Sequence, residues 1–433
     1  MNIAVIGLGK IGLPLAVQYA KKGNSVIGVD INSKTVELIN QGLEPFLEEA
    51  YLEDYLRDVV SKQKLRATID YSEAIKPADV IIVVVPLFVN ERAEPDFVEM
   101  DKATALIGAN IKKGSLICYE TTLPIGTTRT RFVPSLEKNS GMKVGIDFHV
   151  VFSPERVFTG RIFEDLRKYP KIVGGITQIC SEKGVNFYSK VLDFDERVDL
   201  TRPNGVWKVE NTESAEFVKL AETTYRDVNI GLANQFAIYA DKIKVNIYEI
   251  IESANSQYFS HVHQPGISVG GHCIPVYPQF YLWSDTSATI VEEARTTNTY
   301  MPRYAVERMM NVLGDLNGKK ILVLGLSYRA NVKESAFSGC FELNTELKNY
   351  GAKIEVIDPL FSDKEIEDLG LKYYSGKNTE VDGIIIHTNH MEFTSILKTP
   401  FPNCKVIIDG RNFLKNIQEI NSIPIDRIGG GNN

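Results

Sequence analysis

The chain predicts an α/β protein with a sheet-forming domain at each end and a helical middle. Three observations carry that reading. Residues 2–6, NIAVI, run as an apolar strand into a glycine turn and then an apolar-periodic helix, LPLAVQYAKKG. From about residue 205, TESAEFVKLAETTYRDVNIGLANQFAIYADKIKV keeps helical apolar spacing over many turns. From Lys319 the strand–turn theme returns in KKILVLGLSYR and KIEVIDPLF. The length of 433 residues suits two or three domains of about 100–200 residues. The expected divisions are 1–200, 201–310 and 311–433.

The first turn reads Gly7-Leu8-Gly9-Lys10-Ile11-Gly12, and the second strand, SVIGVD, ends in Asp30, 18 positions after Gly12. Between a strand and a helix, this spacing is a dinucleotide fingerprint. Gly7 permits the tight turn, Gly9 lets backbone approach a pyrophosphate, and Gly12 lets the helix pack close to the strand. Lys10 and Ile11 complete the same cofactor turn, whose helix N-terminus faces the phosphates. Asp30 would accept from ribose hydroxyls and repel a 2′-phosphate, which favours NAD over NADP. Strands follow at 78–86, 114–122 and 149–157. Their ends place Pro86, Thr121 and Thr122 where open parallel sheets bind ligands. The first domain is thus of Rossmann type.

In the middle, Phe217, Leu220, Tyr225, Val228 and Leu232 are expected to share a core stripe. A helix this long links domains and carries a subunit interface, so a homodimer through the central helix is expected. DGIIIHTNH and KVIIDGRN add strands to a Rossmann-like last domain, whose turn, Gly325-Leu-Ser-Tyr, lacks the fingerprint. A nucleotide other than a second NAD suits it. The tail GGGNN is expected to be disordered.

Apolar residues make up 44%, charged residues 24%, and the net charge is −7 with no run of one sign. That balance opposes a nucleic-acid partner. No stretch approaches the ~18–20 apolar residues of a spanning helix, so no membrane partner is expected. The N-terminus reads straight into a strand, so no cleavable signal is expected. The five cysteines (118, 180, 273, 340 and 404) are scattered, without metal-ligand spacing. No metal site and a reducing, cytoplasmic setting are expected.

One cysteine stands apart, in GISVGGHCIPVYPQFYL (266–282). Gly270 and Gly271 bring bare backbone close to Cys273, and His272 adjoins it. A thiolate needs positive potential or donors around it, and a helix starting near 273 would help. Two readings stand side by side: a nucleophile, or a small buried cysteine in a glycine turn. Beside a nicotinamide, the nucleophile would add to an aldehyde, give a thioester after oxidation, and release an acid by hydrolysis. An alcohol would then be oxidised twice, with two NAD per turnover.

Across nearly its whole length the chain resembles the UDP-glucose/GDP-mannose dehydrogenase family of nucleotide-sugar 6-dehydrogenases. The motifs are GLGKIGLPLA, ETTLPIGTT, SPERV, KLAETTYRDVNIGLANQ, PGISVGGHCIPVYP and GLSYRANVKES. The resemblance implies NAD in the first domain, a UDP-sugar in the last, and a dimer built on the long helix. It assigns Cys273 as acyl-forming nucleophile, Thr122 as holder of a catalytic water, Glu155 as assistant to proton transfer and hydrolysis, and Lys219 as oxyanion stabiliser. Arg156, Gly270, Gly271, Tyr277 and Arg329 fall on the substrate side.

Three positions depart from the family pattern. Thr223 stands for an asparagine four residues after Lys219, Tyr277 for an aspartate four residues after Cys273, and Ala336 for an arginine. Thr223 shares a helix face with Lys219 but lacks the amide's fork. Tyr277 is neutral at pH 7 and supplies no carboxylate charge. Arg329 and Lys333 are the candidates to replace the missing arginine, and His261 and His263 either meet phosphates or pack. GGHC and Thr159, where UDP-glucose enzymes commonly carry a second glutamate, point to the N-acetylhexosamine branch, with UDP-GlcNAc or UDP-ManNAc as substrate. The altered positions leave two alternatives: a single two-electron oxidation, or a non-catalytic nucleotide-sugar-binding paralogue.

Overall fold

The computed structural model describes residues 1–46, 49–377, 379–415 and 417–431. They form two compact units. One comprises Met1–Glu222 with Gln279–Ser284, the other Thr223–Pro278 with Asp285–Asn433.

The first unit is built on an eight-stranded sheet. Its strands are β1 (Asn2–Ile6), β2 (Ser25–Val29), β3 (Leu65–Thr68), β4 (Val80–Val83), β5 (Leu116–Tyr119), β6 (His149–Phe152), β7 (Lys171–Gly175) and β8 (Val206–Lys208), in the order β8-β7-β6-β5-β4-β1-β2-β3. All neighbours pair in parallel except β6 with β7. Strands β4, β5 and β6 are buried along their whole length, as expected where helices cover both faces. The chain runs outward from β1 to β3 and then returns to β4, so the order reverses between β1 and β4. That reversal opens a crevice at the strand carboxyl ends. The predicted strands 114–122 and 149–157 are shorter than expected. The second leaves the sheet before Pro154, which has no N–H to give a ladder.

The second unit contains β9 (Lys320–Leu324), β10 (Lys353–Ile357), β11 (Gly383–Ile386), β12 (Val406–Asp409), β13 (Glu419–Ile420) and β14 (Ile423–Arg427), in the order β10-β9-β11-β12-β14-β13. Only the β13–β14 pair is antiparallel.

The long helix, Thr212–Ile243, has 32 residues, or about 48 Å at 1.5 Å per residue. Its expected core stripe is not one. Leu220 is buried, but Phe217, Tyr225 and Leu232 are 44%, 52% and 42% exposed. The face packed on helix Thr289–Leu313 carries small and polar residues instead. A Cβ on Gly231 would lie 3.0 Å from Ala294, so the backbones approach closely there. Asp227 accepts from Arg295 (2.6 Å) and Asn298 (2.8 Å), and Asn234 donates to Asn298 (2.9 Å). Close approach at Gly231 leaves no room for a larger side chain at that point of the seam.

The tail also differs from expectation. The Gly429 and Gly431 N–H groups donate to the Asp241 carboxylate at 3.0 and 3.3 Å, and Gly429 O accepts from Ile247 N at 2.8 Å. Backbone hydrogen bonds to a buried carboxylate hold the glycines in place. Asn432 and Asn433 lie outside the described residues.

Candidate active site

The nucleotide turn follows β1. Gly7 has φ +93°, and its N–H donates to Val29 O at 2.8 Å. A Cβ on Gly12 would sit 1.9 Å from Gly7 O, so any side chain there would push the helix off the turn. At Gly9 a Cβ would meet nothing within 4 Å: the space above this residue is open. Asp30 is half-buried at the end of β2. Its Oδ2 accepts from Leu8 N and its Oδ1 from Asn32 N, both at 2.9 Å. Each oxygen keeps a lone pair for a hydroxyl. Lys10 and Ile11 are half-buried, Pro86 is exposed, and Thr121 Oγ1 donates to Val85 O at 2.7 Å. An open, glycine-lined turn at a helix N-terminus, with a carboxylate at the next strand end, fits NAD.

The same unit gathers several of the residues assigned to chemistry. Thr122 is buried just beyond β5. Glu155 does not pair with its neighbour Arg156; it contacts Lys171 Nζ, which also donates to Glu120 at 2.9 Å. Burial works to raise the Glu155 pKa, but Lys171, hydrogen bonding and the charge of Lys219 outweigh it and hold the carboxyl below its ordinary value. Arg156 and Lys219 meet on one carboxylate instead, Glu222, at 2.8 and 3.4 Å. Thr223, where the long helix passes into the second unit, is buried one helical turn beyond Lys219.

In the second unit, two glycines lead into Cys273 because backbone must pass close to the Tyr328–Phe337 segment. A Cβ on Gly270 would lie 2.5 Å from Tyr328 Cβ and 2.8 Å from Phe337 O. Gly271, at φ +87°, donates to Ala336 O at 3.0 Å. Ala336 therefore serves this turn through its carbonyl, at the position where the family pattern has an arginine. His272 Nε2 lies 3.4 Å from Glu334. The helix begins at Tyr277 rather than at Cys273. A turn precedes it, in which Cys273 O accepts from Val276 N and Tyr277 N at 3.3 and 2.9 Å. Cys273 is exposed, whereas cysteines 118, 180, 340 and 404 are buried. Burial pushes the Cys404 thiol up to about 11 and those of Cys118 and Cys340 higher still.

Arg329 is exposed, and Lys333 is paired with Glu365 at 2.5 Å. His263 packs against the Tyr225 ring, with 6.1 Å between centroids. Sequence reasoning missed Arg411. It is half-buried, donates to His387 O (2.8 Å), Ser268 Oγ (3.2 Å) and Tyr328 O (3.4 Å), and is pushed down to about 10 by burial. The signal was DGRN, read only as a strand end. Among the described residues no helix is long and apolar enough to cross a membrane, and no cluster of three metal-ligating side chains occurs.

Two Rossmann-like sheets, a cofactor turn and an exposed cysteine define a nucleotide-dependent oxidoreductase. Three domain descriptions of one family match the sequence: its NAD binding domain over residues 1–192, its central domain over 213–300 and its UDP binding domain over 322–416. The chain belongs to the UDP-glucose/GDP-mannose dehydrogenase family, and its cofactor is NAD. It is 36% identical to the UDP-N-acetyl-D-mannosamine dehydrogenase of Pyrococcus horikoshii, covering 96% of each chain. It is 30% identical to the UDP-N-acetyl-D-glucosamine 6-dehydrogenase of Salmonella typhi, covering 91% of each. The solved UDP-D-ManNAc dehydrogenase from Pyrococcus horikoshii superposes with a TM-score of 0.88 at 32% identity over the full length of both chains. The UDP-N-acetyl-mannosamine dehydrogenase Cap5O from S. aureus gives 0.82 at 30% identity over 99% of each.

Proposed function

We propose that this chain oxidises C6 of UDP-ManNAc or UDP-GlcNAc to the uronic acid through a thioester on Cys273, using two NAD per turnover. The observation that carries this reading is the exposure of Cys273 at the end of a glycine turn, while the other four cysteines are buried. NAD, held by the Gly7–Gly12 turn and Asp30, would supply the hydride acceptor for each oxidation. The Cys273 sulfur adds to the C6 aldehyde, and the resulting thiohemiacetal is oxidised to the thioester. Lys219 stabilises the negative charge that develops on the C6 oxygen. Thr122 holds the hydrolytic water and Glu155 takes its proton. Thr223 supports Lys219 from the next turn of the helix, while Arg156, Gly270, Gly271, Tyr277 and Arg329 position the sugar nucleotide.

In this reading residues 1–200 bind NAD, 201–310 form the central domain, and 311–433 bind the UDP-sugar; the spans of the three family domains support it. A homodimer forms through the central helix, supported by Tyr225, Leu232, Phe236, Tyr239 and Ile243, all exposed at three-, four- and seven-residue spacing. The product serves polysaccharide synthesis in the cytoplasm, where free cysteines persist.

The test is the count of NADH formed per UDP-sugar consumed, with UDP-Glc, UDP-GlcNAc and UDP-ManNAc, for wild type and Cys273→Ser. Two NADH from an N-acetylhexosamine substrate, with turnover lost in the variant, is the expected result. One NADH would replace the reading with a single oxidation. Binding without any NADH would replace it with a non-catalytic paralogue.

A further inference from the structure

Glu155, Lys171 and Glu120 form a closed cluster inside the first unit. Lys171 comes from β7, Glu120 follows β5, and Glu155 follows β6. The Lys171 ammonium donates to both carboxyl groups, and the two carboxyl groups lie within reach of each other. Exposure is graded: the Glu155 side chain is 9% accessible, Lys171 5% and Glu120 0%. Glu155 is therefore the member that reaches outward, and Glu120 is the inner end.

The inner end is finished with neutral donors. Tyr188 OH donates to Glu120 Oε1 at 2.6 Å, and Tyr19 OH to the same oxygen at 3.3 Å. The Cys118 thiol is buried nearby, and the Lys171 ammonium stands 4.8 Å from the centre of the Tyr188 ring. The charge of Lys219 also bears on Glu155. Two carboxyl groups around one ammonium, removed from water, cannot both stay ionised without leaving a net buried charge. They therefore hold one proton between them until the pH rises far enough to remove it.

We propose that Glu120 and Lys171 are positioning residues that make Glu155 the outer end of a two-carboxyl proton acceptor for hydrolysis of the acyl-cysteine. This rests on the hydrolytic role given to Glu155 above. As water attacks the acyl carbon, its O–H bond breaks and the proton passes to Glu155. A proton moves from Glu155 to ionised Glu120, so the outer carboxylate is regenerated. The new C–O bond places charge on the former carbonyl oxygen, and its collapse breaks the C–S bond and releases the thiolate. Lys171 fixes both carboxylates throughout. Burial pushes Glu120 up to about 8, against the pull of Lys171. Hydrolysis therefore speeds up as pH rises and Glu120 becomes free to receive the proton.

The experiment follows acyl-enzyme on Cys273 by intact-mass spectrometry after rapid quench, with UDP-ManNAc, UDP-GlcNAc and NAD, from pH 6 to 10. Wild type is expected to hydrolyse faster with pH, with a midpoint near 8. Glu120→Gln should hydrolyse about 100-fold more slowly, accumulate acyl-enzyme and lose that titration. Lys171→Met should accumulate acyl-enzyme as well, with partial rescue by Lys171→Arg. Wild-type hydrolysis and an unchanged pH curve in Glu120→Gln would overturn the proposal. Should Glu120→Gln not fold, Tyr188→Phe decides: losing a donor to the carboxylate should move the midpoint upward, and an unmoved midpoint counts against the proposal. Glu155→Gln separates the two ideas. A Glu155→Gln enzyme that turns over without building acyl-enzyme removes the hydrolytic reading itself. One that builds it, beside an unimpaired Glu120→Gln enzyme, removes only the proton acceptor.

Discussion

Gly9 and Gly12 belong to one motif but answer to different neighbours, so substituting each by alanine separates cofactor binding from folding. The Gly12 Cβ would overlap the Gly7 carbonyl at 1.9 Å, and neither atom belongs to a flexible side chain. Gly12→Ala should therefore cost about 1–3 kcal/mol of stability and lower the melting temperature. Gly9→Ala meets no protein atom within 4 Å. It should melt as wild type does and weaken NAD binding by about tenfold or more, read by calorimetric titration. A Gly9→Ala variant with normal NAD affinity would mean that the open space is not where the pyrophosphate lies. These glycines were legible in the sequence because the fingerprint is local: six residues carry their own geometry. Glu120 and Lys171 were not. They lie 51 positions apart, and nothing near either of them marks a buried ion cluster. Arg411 was missed for the same reason, since its partners Ser268 and Tyr328 are 143 and 83 positions away.

At the scale of elements, the start of the long helix is pinned to the segment that follows Thr122. Glu216 accepts from Gly126 N (2.5 Å), Thr128 N (2.9 Å) and Thr128 Oγ1 (2.6 Å), and the adjacent Arg129 pairs with Glu213. Burial pushes Glu216 up to about 7 despite these donors. A carboxyl raised above its unfolded value of 4.5 gives stability that is full below pH 4.5 and lost as pH rises through 7. Unfolding free energy should fall by roughly 3 kcal/mol between pH 4.5 and 8 from this group. Denaturant titrations of Glu216→Gln across that range should show a shallower fall. An unchanged slope would mean that Glu216 stays ionised in the fold. The long helix itself was legible from its 3.6-residue period, but its inward face was not. Periodicity finds large apolar residues, and here much of the seam within the chain is glycine, alanine and hydrogen-bonded polar pairs.

For the whole molecule, the exposed row Tyr225, Leu232, Phe236, Tyr239 and Ile243 asks for a covering surface. Phe236→Glu with Tyr239→Glu should shift sedimentation from dimer to monomer while leaving the far-ultraviolet spectrum of the fold intact. A wild-type chain that sediments as a monomer at micromolar concentration would remove the dimer. The alternation of strands and helices at both ends was read correctly because each buried strand is a short apolar run bounded by turn residues. The antiparallel turn-back from β6 to β7 was not, because pairing direction depends on where the chain goes after leaving the sheet.

The seam between the long helix and Thr289–Leu313 has a further effect. Asp227 meets Arg295 and Asn298, Asn234 meets Asn298, and Asp241 meets Tyr304 and Arg308 at 2.8 and 2.6 Å. A slip of one turn would break these pairs, which favours one docking register for the two helices. Self-recognition on this helix is written in polar pairs on one side, and the large apolar residues stand on the other. Phe236 and Tyr239 take no part in these polar pairs, so substitutions there should leave the register of the two helices intact.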